Sequence, residues 1–157
     1  MSGPAVVWSK YLASINEDPR TTKVECALVD HFCHEKEASD RLYRLAVDGI
    51  KRATAGSVLV CKHYDEPILE PGDLSILTNF DETECCVIRT VRSTIKKFSE
   101  INEEDAFIEG EGDRSLAYWR QAHLAFFRDE FAELGLEFSD DIEVVFEEFR
   151  VEYVEAW

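Results

Sequence analysis

The sequence lacks the patterns that define several common classes of protein. No apolar run approaches the roughly 18 to 20 residues needed to cross a bilayer, and the first residues have no basic segment followed by an apolar one. The five cysteines are an odd number and include no CxxC pair, which disfavours a disulfide framework. We therefore expect a cytoplasmic protein with no signal peptide, whose thiols are reduced and buried.

Familiar metal and phosphate motifs are also missing. The stretch "DHFCHEKE" at residues 30–37 offers His31, Cys33 and His34, but it completes neither HExxH nor any other usual zinc spacing. No GxxxxGK[ST] loop is present to cradle a phosphate. We predict no metal site and no cofactor.

Positive charge is scarce. Seventeen lysines and arginines stand against 33 acids, for a formal net charge of -16. This balance disfavours a general polyanion binder, because affinity for nucleic acid depends on neutralising phosphates. The bases concentrate between Arg41 and Lys97, so a local basic surface on an acidic body is an open alternative.

What is present indicates a folded protein. The chain has 157 residues, of which 45% are hydrophobic and 32% charged, which favours one domain over residues 1–157 with a real core. The apolar spacing from Ala38 to Ala46, followed by Gly49, predicts a helix. Residues 57–61, 74–78 and 85–91 read as short strands, and residues 141–154 as a long strand with a bulge or bend around Glu147.

Two more helices are predicted in the second half. Residues 102–109 form a short helix with Asn102 as N-cap and Gly110 beyond its end, and residues 114–134 form a long one capped by Asp113. Half-polar strands between helices of unlike length predict the α+β class, with a curved, mostly antiparallel sheet or small barrel.

The stretch "DGIKRATAG", residues 48–56, is the leading candidate for chemistry. We expect a loop held between a helix and a strand. Thr54 follows Lys51 by three residues, and a lysine whose pKa is lowered can take the proton of a hydroxyl nucleophile. Arg52 adds positive charge next door. The alternative interpretation is a surface loop in which Lys51 is solvated.

Three further residues have two interpretations each. His123 lies on the apolar face of the long helix and is interpreted as a partly buried histidine with one partner. Arg89 requires a carboxylate or a ligand if its strand face points inward, and is ordinary if it points outward. Ser115 is a second hydroxyl, although a serine near a helix start is usually structural.

Several stretches together resemble the ASCH family. They are "FCHEKEASDRLYRLAVDGIKRATAG", "PGD", "CCVIRTV", "EEDAFIEGEGDRSLAYWRQAH" and the closing "VVFEEFRVEY". The resemblance covers about residues 25–154 and is to the longer bacterial branch. It implies a PUA-like β-barrel with flanking helices. ASCH domains are regarded as RNA-binding modules, one longer member is described as a ribonuclease, and small members are amidohydrolases that deacylate N4-acetylcytidine.

The resemblance also implies roles for single residues. The amidohydrolase mechanism carries over with Lys51 as base, Thr54 as nucleophile and Glu109 as proton donor, the last on condition that burial or neighbouring acids raise its pKa. The base of a nucleoside would stack on an aromatic ring. The candidates for this contact are Trp119, Tyr64 and Phe107.

The chain departs from the family signature GxKxxExR at two positions. It has Gly56 where the signature expects an arginine, and Thr54 where it expects a glutamate. Arg52 or Arg89 would compensate for the arginine. We count both, together with Ser115, Tyr64 and Trp119, as candidate substrate-binding residues.

The sequence thus leaves three hypotheses. The first is an amidohydrolase acting on a small acylated nucleoside such as N4-acetylcytidine, with no membrane partner. The second is an RNA-binding or ribonuclease module, and the third is an interaction domain without chemistry. The second hypothesis would use the basic residues Lys51, Arg52, Arg89, Arg92 and Lys96.

Overall fold

The structure, a computed structural model, describes residues 2–155. Its centre is a curled half-barrel sheet of five strands in the order β1-β3-β4-β5-β2. The strands are β1 (Cys26–His31), β2 (Ala53–Ser57), β3 (Leu74–Thr78), β4 (Cys85–Lys97) and β5 (Glu143–Val154). The β1–β3 pair is parallel and the other pairs are antiparallel, which confirms the predicted α+β class with a curved, mostly antiparallel sheet.

Within the described residues, five α-helices flank the sheet. They are α1 (Pro4–Ser14), α2 (Lys36–Val47), α3 (Val58–His63), α4 (Glu103–Glu109) and α5 (Leu116–Glu133). A single 3-10 turn, Phe98–Glu100, follows β4. Within residues 2–155, none of the helices combines the length and apolar character that a bilayer crossing requires.

The two faces of the sheet bury different cores. In β3, Leu74 and Ile76 pack against α1, so the alternation of a strand turns Ser75 and Leu77 to the opposite face. In β5, Val144 and Phe146 join the core under α4 and α5. Val145, Glu147 and Phe149 therefore point to the concave side of the half-barrel, where they line an open pocket.

The strand predicted at residues 57–61 is wrong, because Val58–His63 is helix α3. Its valines favour a strand, but the Ser57 side chain accepts from the Val60 N–H and caps a helix, and both Val58 and Val60 are buried by it. The strand lies just before, over Ala53–Ser57. Thr54 accordingly lies on β2 and not in a loop.

The two helices of the second half end as the sequence indicates, but one cap differs. Asn102 accepts from the Asp105 N–H at 3.0 Å, and Gly110 ends α4 with φ 76°. The N-cap of α5 is Ser115 and not Asp113, which instead accepts from the Ser115 N–H at 2.9 Å. The irregularity predicted near Glu147 lies instead in the partner strand β4, between Thr90 and Arg92, which pair with Phe149 and Glu148.

Candidate functional site

Lys51 is a buried lysine at the centre of the site, with a relative exposure of 1%. Its Nζ donates to the Ala53 carbonyl at 2.8 Å and to Glu111 Oε1 at 2.9 Å. The same nitrogen lies 3.6 Å from Glu109 Oε1 and 4.7 Å from the centre of the Phe32 ring. Since an unpaired buried charge is costly, these carboxylates are what allow Lys51 to be buried.

The main chain fixes Lys51 against the end of α4. The Lys51 N–H donates to the Leu45 carbonyl at 2.9 Å, and the Arg52 N–H donates to the Ile108 carbonyl at 2.9 Å. Gly110 makes this approach feasible, because a Cβ there would lie 2.9 Å from Lys51 Cα and the residue has φ 76°. The end of α4 and the loop after it thereby bring Glu109 and Glu111 to the lysine.

Glu109, the last residue of α4, is fully engaged by α5. Its Oε1 lies 2.8 Å from His123 Nε2, and its Oε2 accepts from the Trp119 indole N–H. His123 Nδ1 in turn donates to the Trp119 carbonyl at 2.9 Å, four residues earlier on the same helix. The two rings stack with centroids 4.1 Å apart. One turn of α5 thus orients both oxygens of the carboxylate.

The charges of this cluster support one another. Burial alone would raise the pKa of Glu109, but the charges of His123 and Lys51 and the hydrogen bonds to the carboxylate lower it. Burial alone would lower the pKa of His123, but the Glu109 carboxylate raises it. With Nδ1 donating to a carbonyl and Nε2 facing a carboxylate, the favoured state is an imidazolium beside an ionised Glu109.

The lowered pKa of Glu109 differs from the raised pKa expected of a proton donor. The sequence-based hypothesis required a raised pKa for a proton donor, whereas the resting carboxylate is ionised. Glu109 must therefore receive a proton before it can donate one. His123 at 2.8 Å and Lys51 at 3.6 Å are the groups from which that proton can come.

Glu109, Glu111 and His123 also have the residue types of a metal site. Their ligand atoms lie within 4.8 Å of one another. However, Lys51 Nζ lies 2.9 Å from Glu111 Oε1 and 3.6 Å from Glu109 Oε1, so a cation of the chain itself already neutralises these carboxylates. A divalent ion would have to compete with Lys51 for both carboxylates.

An open pocket of about 400 Å³ lies over the cluster. Thr54 reaches it from β2, Glu109 and Glu111 from the α4 end and His123 from α5, while Arg41 of α2 lines its exposed side. Lys51 lies beneath the carboxylates and does not line this pocket, and no hydrogen bond joins it to the Thr54 hydroxyl within residues 2–155. The pocket brings a hydroxyl beside acid groups that a buried lysine supports.

A second pocket of about 400 Å³ occupies the concave side of the sheet. Both pockets are lined by Thr54 and its neighbour Ala55, and by Phe32, Cys33 and Phe126. Thr54 therefore stands at the junction of two adjoining cavities. A molecule that reacts at its hydroxyl can extend into both.

The five residues predicted to bind substrate are spread over the surface and the core. Tyr64 lines the second pocket. Trp119 is buried, and its indole N–H donates to the Glu109 carboxylate. Ser115 caps α5 by accepting from the Tyr118 N–H at 3.1 Å. Arg52 is exposed, and Arg89 pairs with Glu152 and bonds the Gly72 carbonyl at 3.2 Å. Of these five residues, only Tyr64 lines either of the two pockets.

The basic surface required by the RNA hypothesis is largely neutralised. Arg89 pairs with Glu152, and the remaining pairs are Arg92–Glu148 at 2.7 Å and Lys96–Asp105 at 2.6 Å. Lys51 is buried among carboxylates. Arg52 is the one member of the predicted patch without an ion pair in the part of the chain that the structure describes.

Sequence reasoning did not assign two residues of the cluster. The sequence indicates no role for Glu111, although this residue makes the shorter contact with Lys51. His123 was interpreted as a core histidine with one partner, but it has two. The four-residue spacing of Trp119 and His123 places both on one helix face, which was the available signal.

Comparisons with known proteins agree with this fold. The half-barrel with flanking helices is a PUA-like α+β fold. The family model described as "ASCH domain" matches residues 28–153, so the chain belongs to the ASCH domain family. No curated protein gave a significant match.

Two solved structures are similar over nearly the whole chain. An ASCH domain from Lactobacillus crispatus JV V101 has a TM-score of 0.83 and 30% identity, covering 94% of this chain and 92% of its own. A protein from Enterococcus faecalis V583 has a TM-score of 0.81 and 28% identity, covering 94% of this chain and 86% of its own. The resemblance stated from the sequence is thereby confirmed.

Proposed function

We propose that this protein is an amidohydrolase that removes the acyl group from a small acylated nucleoside such as N4-acetylcytidine. The observation that carries the proposal is the buried pair of Lys51 and Glu109, 3.6 Å apart, beside a pocket lined by Thr54. An amide hydrolase needs a nucleophile, a base that activates it and an acid for the departing amine. The three residues supply one group of each kind.

The Lys51–Glu109 ion pair differs from the reactive, neutral pair by the position of one proton. Transfer of a proton from Lys51 to Glu109 yields a neutral amine and a carboxylic acid. Thr54 then attacks the amide carbonyl while Lys51 takes the hydroxyl proton through one bridging water, because no direct hydrogen bond joins the two side chains among the described residues. Glu109 protonates the departing nitrogen as the C–N bond breaks. The products of this step are a threonine ester, free cytidine and the original Lys51–Glu109 ion pair.

Hydrolysis of the ester runs the same transfers in reverse. A water molecule gives one proton to Glu109 and bonds to the acyl carbon. Lys51 returns its proton to the Thr54 oxygen as the ester C–O bond breaks. A carboxylic acid leaves, and Lys51 and Glu109 are again the neutral pair that begins a turnover.

Glu111 and His123 act in this scheme as positioning residues. Glu111 holds Lys51 Nζ at 2.9 Å, and His123 holds Glu109 Oε1 at 2.8 Å, so each fixes one partner of the proton transfer. His123 also balances the charge when Glu109 is ionised. A small neutral nucleoside suits an acidic protein of net charge -16 better than a polynucleotide does, because it requires no neutralisation of phosphates.

The test is release of cytidine from N4-acetylcytidine by the purified full chain. Thr54→Ala is expected to abolish turnover, and Glu109→Gln and Lys51→Met to lower kcat by about 10²- to 10⁴-fold, the usual contribution of an acid or base. Thr54→Ser retains a hydroxyl and should keep measurable activity. Arg52→Gln is the control, since Arg52 is exposed and lines neither pocket. An inert wild type, or full activity in Thr54→Ala, contradicts the proposal.

A further inference from the structure

The pocket on the concave side of the sheet is unusually acidic. All five strands line it, together with α3 and α5. Its carboxyl groups come from Asp30, Glu66, Glu130 and Glu147, and no lysine or arginine is among the described residues that line it. None of the four acids has an ion-pair partner within residues 2–155. His31 and His34 also line the pocket, so its basic groups are two imidazoles and its four carboxyl groups outnumber them.

Ser75 indicates, independently of the acids, that the concave pocket binds a polar ligand. Its side chain is 4% exposed and its Oγ has no hydrogen-bond partner, the one buried side-chain atom in this state among the described residues. Ser75 alternates with Leu74 and Ile76, which face α1, so its hydroxyl is turned toward the concave pocket that it lines. A buried polar group without a partner is costly, and a ligand in the pocket would satisfy it.

Gly56 leaves the pocket open. It pairs with Val145 across β2 and β5, and a Cβ at this position would meet only ordinary contacts, 3.7 Å to Val145 Cγ1 and 4.0 Å to Cys61 Sγ. Because Gly56 lines the pocket, a side chain added here would extend toward the cavity. Because the position is glycine, the acids face open space instead of a residue of this chain.

The shape of the pocket favours an organic cation over a metal ion. The three glutamates belong to separate segments, and the pocket's acids do not bring three ligand atoms within 4.8 Å of one another, as a metal site would. Between them lie apolar walls from Leu28, Ile88 and Val145 and from the rings of Phe32, Phe126 and Phe149. An alkyl chain ending in an ammonium group matches both parts of this lining.

The position of Glu109 decides which half of an amide enters this pocket. Glu109 lines the first pocket, so the departing amine that it protonates lies there. Thr54 stands at the junction, and the acyl half must extend to the other side of it. We propose that the concave pocket binds an acyl chain that carries a primary ammonium group, and this inference rests on the proposed amidohydrolase function.

The titration of the pocket acids supports the assignment. Burial raises the pKa of Glu130 to about 7, with the neighbouring Glu66 adding to the effect, and burial raises the pKa of Glu147 to about 7. These carboxylates are thus costly to ionise in the empty pocket. An ammonium group placed among them offsets that cost. A neutral acyl chain does not.

Two substrates of equal chain length test the proposal. They are N4-(ε-aminocaproyl)cytidine, which carries the ammonium group, and N4-heptanoylcytidine, which has a methyl group in its place. The wild type is expected to show a kcat/KM at least about ten-fold higher for the ammonium substrate, as one charge-assisted hydrogen bond provides. The preference should fall to less than about two-fold in the Glu130→Gln/Glu147→Gln variant.

Two further variants make the test specific. Gly56→Lys supplies an internal ammonium group to the same carboxylates and should also abolish the preference. Glu143→Gln removes one negative charge from an exposed position of β5 outside the pocket and should keep it. Equal kcat/KM values for the two substrates in the wild type, or an undiminished preference in the double variant, overturn the inference.

A binding measurement separates this inference from the proposed function. Calorimetry compares N-methyl-ε-aminocaproamide with its neutral analogue N-methylheptanamide on the wild type and the double variant. If neither acylcytidine is hydrolysed, but the ammonium amide binds more tightly and only while the glutamates are present, the amidohydrolase proposal fails and the ligand class stands. If both acylcytidines are hydrolysed equally and the two amides bind alike, the inference alone fails.

Discussion

Glu109 Oε1 lies 2.8 Å from His123 Nε2 and 3.6 Å from Lys51 Nζ. The carboxylate oxygen is shared between two groups that carry positive charge, and all three side chains are buried. Each group makes the burial of the others tolerable, because a charge removed from water must be paired. This arrangement makes the site sensitive to the loss of a single partner.

Removal of the lysine should be costly to stability. We expect Lys51→Met to lower the free energy of unfolding by about 3 kcal/mol or more, since it leaves buried carboxylates without their partner. The Lys51→Met/Glu109→Gln double variant should lose less than the sum of the two single changes, because the residues interact. Urea unfolding followed by tryptophan fluorescence measures these differences.

The matched control for this prediction is Lys36→Met. Lys36 is exposed and pairs with Asp40 at 3.0 Å and with Asp81, both at the surface, so its removal should cost less than about 1 kcal/mol. Equal effects of Lys51→Met and Lys36→Met would contradict the account of the buried cluster.

The stabilising effect of the Glu109–His123 pair should depend on pH. The pKa of Glu109 is lowered from 4.5, so its contribution is present above about pH 4.5 and is lost on acidification through the folded-state pKa. The pKa of His123 is raised from 6.5, so its contribution is present below about pH 6.5 and is lost as pH rises through the folded-state pKa. The difference in Tm between wild type and Glu109→Gln should therefore be largest between these two values.

Nitrogen NMR of the imidazole provides the direct readout. In the wild type both ring nitrogens of His123 should carry protons at pH 6.5, and Glu109→Gln should shift the titration to lower pH because burial is then no longer offset. Glu137→Gln, an exposed change of equal charge, should leave it unchanged. A neutral His123 at that pH in the wild type would refute the assigned ion pair.

Gly110→Ala should disrupt the site by moving the loop away from Lys51. Gly110 and Gly135 both have positive φ, 76° and 68°, but a Cβ at Gly135 meets nothing within 4 Å, whereas one at Gly110 meets the main chain of Ile50 and Lys51. Gly135→Ala therefore reports the backbone strain alone, about 1 kcal/mol. Gly110→Ala should cost more than this and should also reduce cytidine release. Equal stability and activity of the two variants would show that the close approach is unimportant.

The sequence predicted the elements with local signals and missed what only tertiary contact creates. Asn102 and Gly110 mark the ends of α4, as their local sequence signals predict. The Glu109–His123 contact joins two helices across 14 residues of sequence, so no local spacing predicts it. The α3 error has a similar origin, because Val58 and Val60 favour a strand locally while their burial and the Ser57 cap favour a helix.

The sequence predicts the catalytic candidates Lys51 and Thr54 but not their surroundings. The three-residue spacing of Lys51 and Thr54 and the family resemblance indicated both residues. Spacing could not reveal that Lys51 is held by Glu111, nor that Thr54 stands between two pockets. The polar interior of the half-barrel was likewise hidden, because Ser75 and Glu147 become neighbours of one cavity only when the sheet curls.

The most direct test of the central claim is to trap the covalent intermediate on Thr54. The full chain is mixed with N4-acetylcytidine, quenched in acid within the first turnover, digested and mapped by mass spectrometry. The account predicts that an acetyl group appears on Thr54 of the wild type before steady state and is absent from Thr54→Ala. In Glu109→Gln, an acetyl group loaded from an activated acetyl ester should persist longer than in the wild type. Cytidine release by Thr54→Ala at the wild-type rate, with the acetyl group found elsewhere or nowhere, would contradict it.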